Sequence, residues 1–116
     1  MERDPRAFLW DVQQAVMAIQ EFTQGMNSTS YADSALVRSA VERQFEIIGE
    51  ALNQLSKISP DLAQEIPYLR EIIGFRNILI HGYASVDHGR VWQISAELAP
   101  ELKLIVSALL DRLGAD

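Results

Sequence analysis

The chain has 116 residues, of which 48% are hydrophobic and none is cysteine, and its formal net charge is −6. A chain of this length is expected to form one domain, residues 1–116, with a single core, and a sequence without cysteine excludes disulfides and thiolate catalysis. The acidic balance argues against broad, nonspecific affinity for nucleic acid, because attraction to phosphate depends on clustered Lys and Arg.

Apolar residues recur at helical spacing along nearly the whole chain. The pair Asp4-Pro5 predicts the start of a first helix, which continues to about Gly25, where a turn-rich segment begins. A long second helix is predicted from about Tyr31 to Lys57. Each helix has one apolar face, formed by Phe8, Val12, Ala15, Ile19 and Phe22 in the first and by Val37, Val41, Phe45, Ile48, Leu52 and Leu55 in the second.

Proline restarts the helical pattern twice after the second helix, at Pro60 and at Pro67. The second restart opens a helix that is predicted to extend to about His81. Gly82 is expected to end this helix in the left-handed conformation that glycine adopts readily.

A last helix is predicted after its cap, Asp87, with an expected kink near Pro100. Its leucine and isoleucine stripe and both tryptophans are expected in the core, whereas His88 and Arg90 are expected to form a solvated first turn. The sequence therefore predicts an all-α fold. Its expected architecture is an antiparallel up-and-down bundle of four main helices with short extra turns.

No apolar run in the sequence approaches the ~18 residues of a membrane span. The first residues lack the apolar segment of a signal peptide, so we expect a soluble cytoplasmic protein. With two histidines in the sequence, neither a dedicated zinc site nor a cofactor is expected.

The most informative segment runs from Gly74 to Tyr83, where Arg, Asn and His interrupt a series of large apolar side chains. Such polar groups are costly in an apolar setting unless they find partners or serve a function. At about 100° per residue, Asn77 and His81 share one polar stripe of the helix, whereas Arg76 lies about 140° from His81, among leucine and isoleucine residues.

An arginine on an apolar face needs an acidic partner, and the second helix offers Glu42, Glu46 and Glu50 at four-residue spacing, of which Glu46 and Glu50 are the expected candidates. One interpretation is a buried ion pair that locks the second helix to the helix carrying Arg76. The other is that Arg76 and His81 approach a cleft from different sides, and that a second copy related by a two-fold axis supplies the missing geometry. The sequence leaves both open.

The spacing Arg76, four residues, His81, one residue, Tyr83, with Gly74 before the arginine and Asn77 after it, resembles the signature of HEPN domains. More narrowly, it resembles the Arg-x4-His-x-Tyr pattern of their HepT-like toxin branch. Similar stretches elsewhere in the chain are 45–51, 69–74 and 87–102. The resemblance covers nearly the whole chain, and no motif position departs from the pattern.

The resemblance implies a HEPN-like homodimer in which both copies of the motif face a shared cleft. It implies the activity of a metal-independent endoribonuclease, the toxin of a type VII toxin–antitoxin system, with tRNA as the expected RNA. The implied antitoxin is an MntA-like minimal nucleotidyltransferase that transfers AMP to Tyr83. Arg76 and His81 are then the expected catalytic residues and Asn77 a supporting residue.

The chemistry of these residues is compatible with RNA cleavage that uses no metal. RNA carries its own nucleophile, the 2′-hydroxyl, so cleavage needs a base, an acid and a cation at the phosphate. His81 suits proton transfer because histidine has an unperturbed pKa near ~6.5, and Arg76 can hold the phosphate. One such histidine per chain is too few for both proton transfers, and a dimer supplies two. The expected products carry a 2′,3′-cyclic phosphate and a 5′-hydroxyl.

The same residues also have structural interpretations. A positive His81 in the last turn would favour the helix C-terminus, Asn77 can make a local hydrogen bond, and Tyr83 can pack back on the last turn. These interpretations leave open an alternative function, which the net acidity favours. In it the protein is a noncatalytic helical dimer module that binds and regulates a nucleotidyltransferase partner.

Overall fold

The computed structural model describes residues 3–114, and it confirms the all-α class because every regular element in this range is helical. In chain order the elements are α1 (Pro5–Phe22), α2 (Ser28–Asp33), α3 (Ala35–Ile58), α4 (Pro60–Ala63), α5 (Leu69–His81), a 3₁₀ turn (Tyr83–Ser85) and α6 (His88–Arg112). None of the helices in the described range has an apolar stretch sufficient to cross a lipid bilayer.

The bundle is organised around α1 and α3. α1 packs against α3 and α6, and α3 in turn packs against α5. α1 and α6 run antiparallel, and two hydrogen bonds connect them. Arg6 Nη1 donates to the Gly114 carbonyl at 3.3 Å, and Gln13 Nε2 donates to Ser107 Oγ at 2.9 Å. The fully buried side chains of the core include Leu9, Val12, Val16, Ile19, Val41, Ile48, Leu52, Leu55, Leu102 and Val106.

The start of α1 follows the sequence signal. Asp4 Oδ1 accepts a hydrogen bond from the Arg6 backbone N–H at 2.8 Å, and Pro5 is the first helical residue. The hydrogen bonds that the Arg6 side chain and backbone donate to this carboxylate lower the pKa of Asp4 to about 2. The carboxylate of Asp4 is therefore charged at neutral pH.

The prediction that the second long helix starts near Tyr31 is wrong. Asn27 and Ser30 form a reciprocal capping box, with both backbone-to-side-chain hydrogen bonds at 2.9 Å, and this starts α2 inside the segment predicted as a turn. Ser34 then has an extended backbone, and its hydroxyl accepts the N–H three residues further on at 3.2 Å. Two successive N-caps therefore produce two helices, α2 and α3, where the sequence predicts a turn followed by one long helix.

α5 differs from its prediction at both ends. It begins at Leu69 rather than at Pro67, because Tyr68 adopts the left-handed conformation, with φ 60°. At the other end Gly82 is not left-handed: its φ is −111°, and its N–H donates to the Ile78 carbonyl at 2.8 Å. The chain thus passes directly into the 3₁₀ turn instead of reversing at a glycine cap.

The core prediction is wrong at Trp10, which is 55% exposed because it lies on the face of α1 opposite the core. Leu104 lies outside the apolar stripe predicted for the last helix, and it is 73% exposed. Trp92 is half-buried, and its ring centroid lies 5.5 Å from that of Tyr31. The helix that contains Trp92 and Leu104 continues through Pro100 without a break in its helical assignment.

Candidate active site on helix α5

α5 packs on α3 through one face and leaves much of its remaining surface open. Its buried residues are Ile72 and Leu79. The two helices approach each other closely at Gly49, where an added Cβ would lie 2.5 Å from the Cβ of Arg76. Real Cβ atoms essentially never come so close. The absence of a side chain at Gly49 therefore allows α5 to approach α3 this closely at Arg76.

Arg76 is held by neighbours on both helices. Its Nη2 lies 2.9 Å from Glu50 Oε2 on α3, and its Nη1 donates to Asn77 Oδ1 at 3.0 Å. The Nε atom is buried and has no hydrogen-bond partner within the described part of the chain. Of the two acidic candidates, Glu50 therefore contacts Arg76, whereas Glu46 lies 3.3 Å from Arg43.

The other motif residues face solvent. Asn77 and His81 are exposed, one turn apart on α5, and the amide oxygen of Asn77 is directed to Arg76 rather than to the imidazole. Tyr83 opens the 3₁₀ turn directly after the helix, and 76% of it is exposed. α5 thus presents a paired arginine toward α3 and an accessible histidine and tyrosine at its C-terminal end.

Two concave regions flank α5. Arg76 lies in a cleft of about 210 Å³ between α1, α3 and α5, which Arg3 and Arg43 also line. A larger cavity of about 310 Å³ lies between α3, α5 and α6; its floor includes Phe45 and Phe75, whose ring centroids are 5.4 Å apart. We take the smaller cleft as the candidate site because it contains a motif residue and the larger cavity contains none. No local sequence pattern marks the larger cavity, because its lining comes from three separate helices.

A second polar cluster joins the start of α6 to α2 and α3. His88 Nδ1 lies 3.9 Å from Glu42 Oε2 on α3, and the side chain of His88 is 41% exposed, so the solvated first turn predicted for α6 is found at the exposed Arg90 but only in part at His88. Burial raises the pKa of Glu42, and burial also raises the pKa of Tyr31. Among residues 3–114, neither His88 Nδ1 nor the Tyr31 hydroxyl has a hydrogen-bond partner. The start of α6 itself is capped by Asp87, whose Oδ1 accepts a hydrogen bond from the Arg90 backbone N–H at 3.2 Å.

The acidic row on α3 is divided among separate partners. Glu42 faces a histidine, whereas Glu46 and Glu50 each pair with an arginine. No group of three or more His, Asp or Glu side chains within the described range is arranged to hold a metal ion.

Comparison with known proteins gives one consistent family. The family model described as Ribonuclease HepT-like matches residues 12–109, which include Arg76, Asn77, His81 and Tyr83. A protein of Methanocaldococcus jannaschii named "Putative RNase" is 34% identical over 102 residues, covering 88% of this chain and 93% of its own length. A "Probable ribonuclease HepT" of Thermococcus cleftensis is 35% identical over 103 residues, covering 89% and 93%. No solved structure matches the chain significantly.

Proposed function

Because the chain belongs to the HepT-like ribonuclease family, we propose that it is a metal-independent endoribonuclease, with tRNA as its expected substrate. The observation that carries this proposal is a cleft arginine, Arg76, on the same helix as an exposed His81. Arg76 and His81 are the proposed catalytic residues. Asn77, which accepts a hydrogen bond from Arg76, is the proposed supporting residue.

The proposed reaction is an internal transesterification of RNA. A base removes the proton of a 2′-hydroxyl, the 2′-oxygen attacks the adjacent phosphorus, and the bond from phosphorus to the 5′-oxygen breaks. An acid protonates the departing 5′-oxygen, which leaves a 2′,3′-cyclic phosphate and a 5′-hydroxyl. The guanidinium of Arg76 stabilises the charge that builds on the phosphoryl oxygens. The His81 imidazole of one chain acts as the base, and the His81 imidazole of the other chain acts as the acid.

We propose a homodimer because each chain brings one histidine to this chemistry. The open surface of α5 supports the proposal: Asn77 and His81 are exposed on it, and Ile78 between them is 52% exposed although it is a large apolar residue. A second copy packed on this face would cover the isoleucine and bring two motif helices together.

The proposed control of this activity is AMP transfer to Tyr83 by an MntA-like minimal nucleotidyltransferase, the antitoxin of a type VII toxin–antitoxin pair in the cytoplasm. The exposed phenol in a short turn after α5 supports this, because a modifying enzyme must reach its oxygen. An attached AMP would add bulk and negative charge beside the motif and so exclude an RNA phosphate.

A noncatalytic module that binds and regulates a nucleotidyltransferase is the second candidate function. The observation that favours it is the ion pair of Arg76 with Glu50, which leaves the cleft without an unpaired arginine charge at the motif. The chain's net charge of −6 points the same way, since it weakens attraction to RNA.

The deciding experiment uses purified wild type, His81→Ala and Arg76→Ala, with total tRNA in EDTA, and an analysis of the cleaved ends. Arg112→Ala is the matched control for the arginine variant, because Arg112 is also ion-paired, with Glu65 at 2.5 Å, but lies away from α5. Intact mass establishes that the protein carries no AMP. Circular dichroism and sedimentation establish that fold and assembly are unchanged.

Cleavage by the wild type and by Arg112→Ala, with cyclic phosphate ends and with little or no cleavage by the other two variants, is the expected result. No cleavage by unmodified wild type would move the assignment to the noncatalytic module. Cleavage that EDTA abolishes, or that His81→Ala retains, would contradict the proposed mechanism.

A further inference from the structure

Given the proposed ribonuclease function, we infer that Glu50 restrains Arg76: its carboxylate holds the guanidinium in the free protein and competes with the RNA phosphate for it. By neutralising Arg76, this contact lowers the affinity of the free protein for weakly or nonspecifically bound RNA. Glu50 is a regulatory residue of the site rather than a residue that assists the reaction.

The hydrogen bonds of Arg76 carry this inference. A guanidinium binds a phosphate best through two parallel N–H groups. The Nε edge of Arg76 is closed, because that atom is buried, and the two outer nitrogens already contact Glu50 Oε2 and Asn77 Oδ1. A phosphate that approaches the remaining N–H groups meets a carboxylate 2.9 Å from Nη2, and the two negative charges repel each other.

The surroundings of Glu50 let it release Arg76 without becoming unpartnered. Its other carboxylate oxygen, Oε1, accepts a hydrogen bond from Gln54 Nε2 at 3.0 Å, one helical turn further along α3. The side chain of Glu50 is 46% exposed, so water can replace the arginine on Oε2. An ion pair that is this accessible is weak and screened by salt, and a polyanion that carries many charges can displace it.

The ion pair is not needed to hold α5 on α3. The two helices already meet at the glycine contact of Gly49 with Arg76 and at the edge-to-face pair of Phe45 and Phe75. Replacing Glu50 by glutamine also keeps the volume of the side chain and an oxygen acceptor for the guanidinium. The fold is therefore expected to survive the removal of this one charge.

The test compares Glu50→Gln with the matched control Glu46→Gln. Both residues lie on α3, line the same cleft and pair with an arginine, and each substitution removes one negative charge, but only Glu50 contacts Arg76. Both are made in a His81→Ala background, so that RNA is bound and not cut. Binding of a fluorescent tRNA is measured by anisotropy over a series of salt concentrations.

We expect Glu50→Gln to bind the tRNA about three- to tenfold more tightly at low salt than its parent, and Glu46→Gln to change binding by about twofold or less. The slope of log Kd against log salt should steepen by roughly one unit for Glu50→Gln, because one more arginine is free to displace counterions. With His81 restored, Glu50→Gln should still cleave RNA. Glu50→Ala, which removes the carboxylate without adding an amide, should also bind the tRNA more tightly than its parent. This variant replaces Glu50→Gln in the test if the glutamine variant does not fold.

Equal binding by the two glutamine variants would overturn the inference, and so would weaker binding or lost cleavage in Glu50→Gln, which would make Glu50 a positioning residue for Arg76. Failure of the proposed function looks different. In that case the wild type does not cleave tRNA, and Arg76→Ala binds it as well as the wild type does.

Discussion

Replacing Gly49 by alanine should lower the cleavage activity strongly while changing the free energy of unfolding only slightly. The added Cβ would lie 2.5 Å from the Cβ of Arg76 and 3.2 and 3.3 Å from its Cγ and Cδ. Carbon atoms pack best at about 3.5–4.0 Å, so α5 has to move away from α3 by roughly 1 Å. Because the nearest atom is the Cβ itself, rotation of the arginine side chain cannot remove the main clash.

Two opposing effects set the size of the stability change. Overpacking costs about 1–3 kcal/mol, while alanine in place of glycine within a helix gains about 1 kcal/mol. The expected loss in the free energy of unfolding is therefore roughly 0–2 kcal/mol, which a small domain tolerates. The shift acts directly on Arg76, a proposed catalytic residue, and a misplacement of about 1 Å at a catalytic group can lower activity by about a hundredfold.

Urea denaturation and tRNA cleavage, measured on the same preparations, test this prediction. Gly74→Ala is the stability control, because a Cβ on Gly74 meets nothing within 4 Å, so that variant should gain up to about 1 kcal/mol. A Gly49→Ala protein that is as stabilised as Gly74→Ala and fully active would refute the reasoning. It would mean that α3 and α5 do not approach each other as closely as the structure has them.

Three further predictions follow from single side chains. Tyr31→Phe should leave stability unchanged or raise it by about 1 kcal/mol in urea denaturation, because it removes a buried hydroxyl that has no hydrogen-bond partner within residues 3–114; a loss above that size would mean that the hydroxyl is bonded. Burial raises the pKa of Glu42, so its protonated form favours the folded state below the ordinary carboxyl pKa, and this contribution is lost as the pH rises through the raised value. Glu42→Gln should therefore raise Tm at pH 7 and have little effect near pH 4, and a pH-independent effect would contradict this. Under the proposed toxin function and its control by AMP transfer, Tyr83→Phe should be as toxic in cells as wild type, and coexpression of the proposed nucleotidyltransferase should not relieve its toxicity. Relief as complete as for wild type would exclude Tyr83 as the AMP acceptor.

Some of the fold is predictable from the sequence because its signals are local. The Asp4 cap with Pro5, the Asp87 cap and the helical spacing of apolar residues each depend on neighbours within a few positions, and the structure has helices at all of them. The start of α2 is also set locally, since Asn27 with Ser30 forms a capping box, but the turn-forming composition around these two residues obscures the signal. The conformation of Tyr68 has no such signal, because aromatic residues rarely adopt a positive φ.

The site is predictable only to the extent that one helix determines it. The spacing within α5 places Arg76 away from His81, but which carboxylate meets Arg76 depends on how α3 crosses α5. That crossing is set at Gly49, a residue whose role becomes visible only when the two helices are seen together. The half-buried His88 beside Glu42 was missed for the same reason: its partner lies 46 positions away in the sequence, on a different helix.

The separation of Arg76 and His81 on α5 leads to a prediction about how the two chains share the work. Within one chain Arg76 is directed to Glu50 on α3, while His81 lies about 140° around the helix and faces solvent, so a phosphate on Arg76 would need the histidine of the other copy as well. Because the proposed reaction uses both His81 side chains of a dimer, one His81→Ala chain should inactivate the dimer that it joins. When His81→Ala is coexpressed with an equal amount of wild type, random pairing leaves about a quarter of the dimers with both histidines, so the mixture should keep about a quarter of wild-type cleavage. Mixed dimers purified through two different tags should cleave little or nothing. Mixed dimers with about half of wild-type cleavage would contradict this reasoning, because one histidine would then be enough for each site.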